Sequence, residues 1–302
     1  MMLPLSIRSA IEFFIAIFLI YTSVFIAVRI VPTDPARTFL GPLATTSAVE
    51  DFRKEFGWDR PLWQSYFSTL SQMLRGNFGV SYYYRLPAAK VMADTIPKTF
   101  TRAGVGLLLG VVMGLLLGLA SGIFRWNHSP AFFSLFYSIP SFCVLVLLLW
   151  GASTTLGWTP LSQPFFYEVL TILAASLYPA GAVGNQVAER LDFESSQPLH
   201  VTFLFMLHGS HHQVATVVWR ECLIDATSIT INSIPVTLGA VTFAEIIFGL
   251  TGFGQTFVES SLRSDLSVVV AGSLILSVLF LLIQKSGDAI TAMIDPRVLS
   301  ND

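Results

Sequence analysis

The chain has 302 residues, of which 53% are hydrophobic and only 12% charged, with a mean hydropathy of +0.68. Soluble domains carry about 25% charged residues, so much of this surface faces something other than water. A net charge of −2 leaves no basic field for nucleic acid, and Cys143 and Cys222, in or beside apolar stretches at no metal-ligand spacing, read as buried thiols.

A bilayer core of about 30 Å is crossed by about 20 helical residues, and six stretches qualify. The first covers residues 11–31; no small-residue cleavage site follows it, so it does not read as a cleaved signal peptide. Residues 32–98 then carry Leu62, Tyr66, Phe67, Leu70 and Leu74 at helical spacing, after a charged run at Glu50, Asp51, Arg53, Lys54 and Glu55. Pro32, Pro35, Gly57, Pro61 and the Gly76–Gly79 pair punctuate the loop. A small helical cap is expected there, and two readings stay open: packing within the cap, or docking of a soluble partner.

The second span covers residues 99–122. Its glycines at 106, 110, 114, 118 and 122 share one helix face, the pattern of close helix packing. The third covers 131–156 and contains Pro140; the fourth, 165–187, contains Pro179. The fifth, 223–248, is the most polar, with Asp225, Asn232, Pro235 and Glu245; the sixth covers 267–290. Polar groups at membrane depth are costly unless they face protein or a watery path, which points the fourth and fifth spans inward. Pro140 and Pro235 are expected to kink their helices, and Arg29 and Arg102 to snorkel to the outer interface.

A cytoplasmic N-terminus puts Arg8, Arg125, Arg190, Arg220, Lys285 and Arg297 inside and leaves Arg263 alone in the short outer loops, in line with the positive-inside rule. The basic residues of the loop at 32–98 would lie outside, but that loop exceeds the length of about 60 residues over which the rule is counted.

Four stretches carry a family resemblance: Pro32-Thr-Asp-Pro35-Ala36; Gly57-Trp-Asp59-Arg60-Pro61-Leu62 with Leu74-Arg75-Gly76-Asn-Phe78-Gly79-Val-Ser81; Ser138-Ile-Pro140-Ser141-Phe142; and Glu245-Ile-Ile-Phe248-Gly249-Leu-Thr-Gly252-Phe253-Gly254 with Asp295-Pro296-Arg297-Val298. In order and spacing they resemble the dipeptide/oligopeptide/nickel family of ATP-binding-cassette permeases. The resemblance implies an all-α membrane protein of about six transmembrane helices with the type I importer permease fold and a helical periplasmic loop between the first two. Its parts would be residues 1–31, the loop at 32–98, and a permease core at 99–302. It further implies a second homologous permease subunit, two cytoplasmic ATPase subunits, an extracytoplasmic solute-binding protein and an inner-membrane location with both termini cytoplasmic. The chain itself would bind no cofactor, ATP and Mg being used by the partner ATPases.

The same likeness places an ATPase-coupling segment at about 188–222, with a docking helix at 198–207, Gly209 near the family's glycine and a second short helix ending near Arg220. The local sequence departs from the family pattern: large apolar residues replace small and basic ones, leaving His200, Phe203, Phe205, Met206 and Leu207 as the contact candidates. A co-adapted ATPase groove accounts for this by apolar contact; weakened contact is the other reading. His208, His211 and His212 invite a metal reading, but no carboxylate or thiol completes a site, so no metal is expected. Pathway-lining candidates are Pro140, Ser141, Asn232, Glu245 and Phe248, and partner-docking candidates in the loop are Asp59, Arg60 and Arg75.

No Gly-rich phosphate loop ending in Lys and Ser/Thr occurs, so energy is expected from another subunit. A stand-alone ion-coupled transporter is the alternative, but such chains usually show more spans in repeats. An intramembrane enzyme lacks its motifs here: neither His-Glu-x-x-His nor Gly-x-Ser-x-Gly is present.

Overall fold

A computed structural model describes residues 5–30, 35–41, 43–124, 126, 128–196 and 211–294. Among them the regular structure is helical, with one isolated bridge between Val80 and Pro87. Two compact units emerge, residues up to 98 with 251–282, and residues 99–250 with those from 283 on.

The first unit contains α1 (Leu5–Ile30), α2 (Pro35–Leu40), α3 (Thr46–Glu55), α4 (Leu62–Leu74), the first turns of α5 (Ala88–Ile123), α10 (Phe253–Leu262) and most of α11 (Leu266–Ile294). The cap at 35–74 is thus helical, with local reasons for each boundary. The Thr45 hydroxyl accepts from the Ala48 amide and caps α3, and Gly57 behind α3 has φ +68, a conformation that favours glycine. Pro61 sets the entry to α4. Val49 and Phe52 on the inner face of α3 pack with Ala36 and Tyr82, and Phe39 and Phe56 close the cluster. Tyr21 and Phe25 of α1 pack with Met73 of α4 and Val270 of α11, and the Tyr21 hydroxyl donates to the Tyr66 carbonyl at 2.7 Å.

The turn at 81–84 is tied to α10 and the start of α11. The Ser81 hydroxyl donates to Asp265 at 2.5 Å, the Tyr82 hydroxyl to the Arg263 carbonyl, and the Tyr83 hydroxyl to Glu259 at 3.1 Å. Asp265 is fully buried at the head of α11. Burial raises its carboxyl above the ordinary range, against the opposing hydrogen bonds from Ser81 and backbone amides. Burial and the nearby Glu259 carboxylate push the Tyr84 hydroxyl up to about 12.

The second unit contains the rest of α5, α6 (Ser129–Ser138), α7 (Ser141–Thr155), α8 (Pro164–Ser196), α9 (His211–Phe248) and the end of α11. The glycine stripe of α5 lies against α8. A Cβ on Gly110 would stand 2.5 Å from the Ser176 carbonyl oxygen, one on Gly114 2.8 Å from that of Ala180, and one on Gly118 2.8 Å from that of Gly184. Val183 and Val187 of α8 and Ala226 of α9 continue this seam with Val111 and Leu115 of α5.

Among the described residues five helices are long and apolar enough to cross a membrane: Ile11–Ile30, Ala88–Ser121, Pro164–Asp192, Trp219–Phe248 and Leu266–Gly287. The third expected span is not a kinked rod but a broken one. Helices α6 and α7 meet at 79°, with Ile139 extended and Pro140 capping α7, because proline excludes the helical conformation from the residue before it. Counting this pair as one gives the sixth span. The expected short helix ending near Arg220 is instead part of α9, which runs unbroken through that residue. Cys222 is buried as expected, while Cys143 is only half-buried.

Candidate functional site

Three spans of the second unit, α5, α8 and α9, supply the members of a buried ionic cluster. Arg102 of α5 forms a bidentate pair with Glu168 of α8, Nε to Oε2 and NH2 to Oε1, both at 2.6 Å. Its NH1 donates to Glu245 Oε1 of α9 at 2.7 Å, and the Thr99 hydroxyl donates to the same oxygen at 2.7 Å. Glu245 is fully buried, Arg102 nearly so, and Glu168 about one-third exposed. Removing one partner of a buried pair strands a charge and costs about 3–5 kcal/mol. The cluster therefore pins three spans at one level, with one more carboxylate than cation and Glu168 its most exposed member.

Arg102 was expected to snorkel; it turns inward instead, because two carboxylates lie within reach and a guanidinium fork satisfies both. Glu168 was not singled out from sequence. The available signal was a lone acid in the fourth span facing a lone base in the second, the pattern of paired charges at membrane depth.

Beyond Glu245 the chain turns out of α9. The Leu250 amide bonds back to the Glu245 carbonyl at 3.0 Å, and Gly249 takes φ +66, which frees it for this tight exit. Phe248 is buried, its ring edge-on to Tyr167 at 4.8 Å, in a cluster with Leu145, Leu170 and Ala244. Within this chain Glu245 and Phe248 thus face their own protein. Pro140 and Asn232 are exposed and Ser141 half-exposed. The break at Pro140 leads into Phe142, whose ring lies 6.1 Å from that of Phe243 on α9.

Lower in the same helices, Arg190 of α8 lies 3.0 Å from Glu221 and 3.4 Å from Asp225 of α9. This contact joins α8 and α9 within the bounds of the expected coupling segment, where Arg190 and Glu221 both fall. Candidates His200, Phe203, Phe205, Met206, Leu207 and Gly209 lie outside the described residues. In the first unit, Asp59, Arg60 and Arg75 are all exposed at the turns bounding α4. No cluster of three metal-ligating side chains occurs among the described residues.

Long apolar helices, one span broken at a proline and a buried ion cluster pinning three others define a multi-pass membrane protein. Its family follows from comparison: residues 106–300 match the model for the binding-protein-dependent transport system inner membrane component, and residues 2–103 match that family's N-terminal region. The chain belongs to this family of permeases. It is 29% identical over 299 residues to the dipeptide transport system permease protein DppB of Lactococcus lactis, covering 94% of this chain and 95% of that one. It is 25% identical over 298 residues to the glutathione transport system permease protein GsiC of Escherichia coli K12, covering 93% and 94%. A probable peptide ABC transporter permease protein of Sinorhizobium fredii is 23% identical over 303 residues, covering 91% and 92%. As a family member the chain is a transmembrane permease subunit of an ATP-driven importer in the inner membrane, and such systems combine a partner permease, an ATPase and a binding protein.

Proposed function

We propose that this permease moves peptides or a closely related small solute, forming half of the pathway while a sister permease forms the other half. The observation that carries the solute class is end-to-end similarity to permeases whose names specify dipeptide, glutathione and peptide transport. The absence of a phosphate-binding loop from the sequence supports a chain without catalysis or cofactor of its own, with ATP and Mg handled by two cytoplasmic ATPase subunits. Both termini lie in the cytoplasm, by the distribution of basic residues. The cap then faces outward and offers Asp59, Arg60 and Arg75 to the solute-binding protein. The segment at about 188–222 docks the ATPase, with Phe203, Phe205 and Met206 as apolar contacts.

The test is reconstitution of the chain with its sister permease, ATPases and binding protein in liposomes, followed by uptake of labelled dipeptide. Uptake should need ATP and this chain together. Uptake by this chain alone without nucleotide would show a stand-alone transporter. Phe205→Asp should abolish solute-stimulated ATP hydrolysis while the membrane subunits still co-purify; unchanged coupling would remove the segment from that role.

A further inference from the structure

Where α1 leaves the bilayer, the first unit holds a cavity of about 530 Å³. Arg29, Arg60 and Arg85 line it with Trp58 and Gln72, and among the described residues Glu55 is the one carboxylate on its wall. Among the described residues none of the three guanidiniums has an ion-pair partner. Arg29 is already oriented: its NH2 donates to Ser65 at 2.6 Å and its guanidinium stacks on Trp58 at 4.1 Å. Its Nε is buried without a hydrogen-bond partner among the described residues. Three such cations around one space favour an oxyanion, which a guanidinium fork binds through paired N–H donors.

A second opening lies along the same helix, over the turn that precedes Arg29. A crevice of about 260 Å³ is lined by Val24, Ala27 and Val28 of α1 with Phe257 and Val269. Its wall is mostly apolar, with Ser261 and Ser264 as its polar members, and it runs along the last two turns of a membrane span. The arginines thus sit where headgroup phosphates lie, and the crevice where an acyl chain lies. A free anion would use only the first opening; a phospholipid uses both.

We propose that this end of α1 is a binding site for one anionic phospholipid, its phosphate held by Arg29, Arg60 and Arg85 and an acyl chain in the crevice at Ala27. The site requires only that α1 spans the bilayer, so it stands or falls independently of the transported solute; it takes Arg60 as a lipid contact in place of a contact with the binding protein.

The test uses the full chain in phosphatidylcholine nanodiscs with and without phosphatidylglycerol, then native mass spectrometry to count retained lipid. Wild type should keep phosphatidylglycerol in preference to phosphatidylcholine. R60Q/R85Q, two exposed arginines without hydrogen bonds among the described residues, should lower that preference roughly 30-fold, from the usual contribution of two cations near an anionic headgroup. Ala27→Trp should fill the crevice and lower retention with the arginines intact, and inorganic phosphate should fail to displace the lipid. Equal retention by R60Q/R85Q overturns the proposal. Displacement by phosphate with no effect of Ala27→Trp also overturns it, in favour of a free-anion site. Should R60Q/R85Q fail to fold, the wild-type comparison decides: no preference for phosphatidylglycerol refutes the site.

Discussion

Replacing Gly110 by Ala puts one methyl group into the α5–α8 seam, where it would stand 2.5 Å from both the Ser176 carbonyl oxygen and Pro179 Cγ. Neither neighbour can rotate away, since one is backbone and the other a ring inside α8. The helices must separate, and overpacking of this kind costs about 1–3 kcal/mol. Against it stands the helix preference of Ala over Gly, about 1 kcal/mol. Gly104 supplies the control on the same helix: a Cβ there meets nothing within 4 Å. Gly104→Ala should therefore gain the preference and incur no clash. The difference between the two variants isolates the steric cost, and Gly110→Ala should be the less stable by about 1–3 kcal/mol. Thermal unfolding of the purified chain in one detergent, followed by circular dichroism, measures the gap. Equal midpoints for the two variants would refute close backbone approach along this stripe.

Three further outcomes follow from the ion cluster, the buried acid and the seam. Arg102→Ala should destabilise the chain by about 3–5 kcal/mol, because it strands the buried Glu245; Arg102→Ala with Glu245→Ala should recover part of that loss, and a double-mutant cycle of unfolding free energies measures it. For Asp265, burial raises the folded-state carboxyl above its unfolded value, so its favourable contribution holds at acid pH and is lost as pH rises through the raised value. Asp265→Asn should be more stable than wild type at pH 7 and lose that advantage on acidification; a wild-type profile as flat as the variant's would contradict the burial argument. Gly114→Leu should lower the yield of assembled complex more than it alters solute selection, and normal yield with changed selectivity would remove the packing role.

The spans were legible because membrane crossing is a one-dimensional signal: about 20 apolar residues in a row identify themselves without any partner. The α5 glycines announced a packing face by their spacing, but not that its other side would be Ser176, Ala180 and Gly184 of α8. The break at Pro140 was half legible. A proline forbids helix at the residue before it, yet a 79° turn depends on what each half packs against. Least legible was the partner of Arg102, because Glu168 and Glu245 lie 66 and 143 residues away and membrane-depth charges pair by fold, not by spacing. The cap helices showed their apolar spacing, but not the tie between Ser81 and Asp265, 184 positions apart.

Helix α9 has 38 residues, about 57 Å at the standard rise, well beyond the hydrocarbon thickness. A rod that outlasts the layer it pierces behaves as a lever. Pro235 lies inside the helix; taken as straight, α9 pivoted about one end by about 10° would sweep the other through about 10 Å from its length. Arg102 of α5 grips the rod near Glu245 and Arg190 of α8 near Glu221 and Asp225, so both helices must swing with it. A push delivered beside His211 would be felt at Phe248 without any signal having to pass from residue to residue.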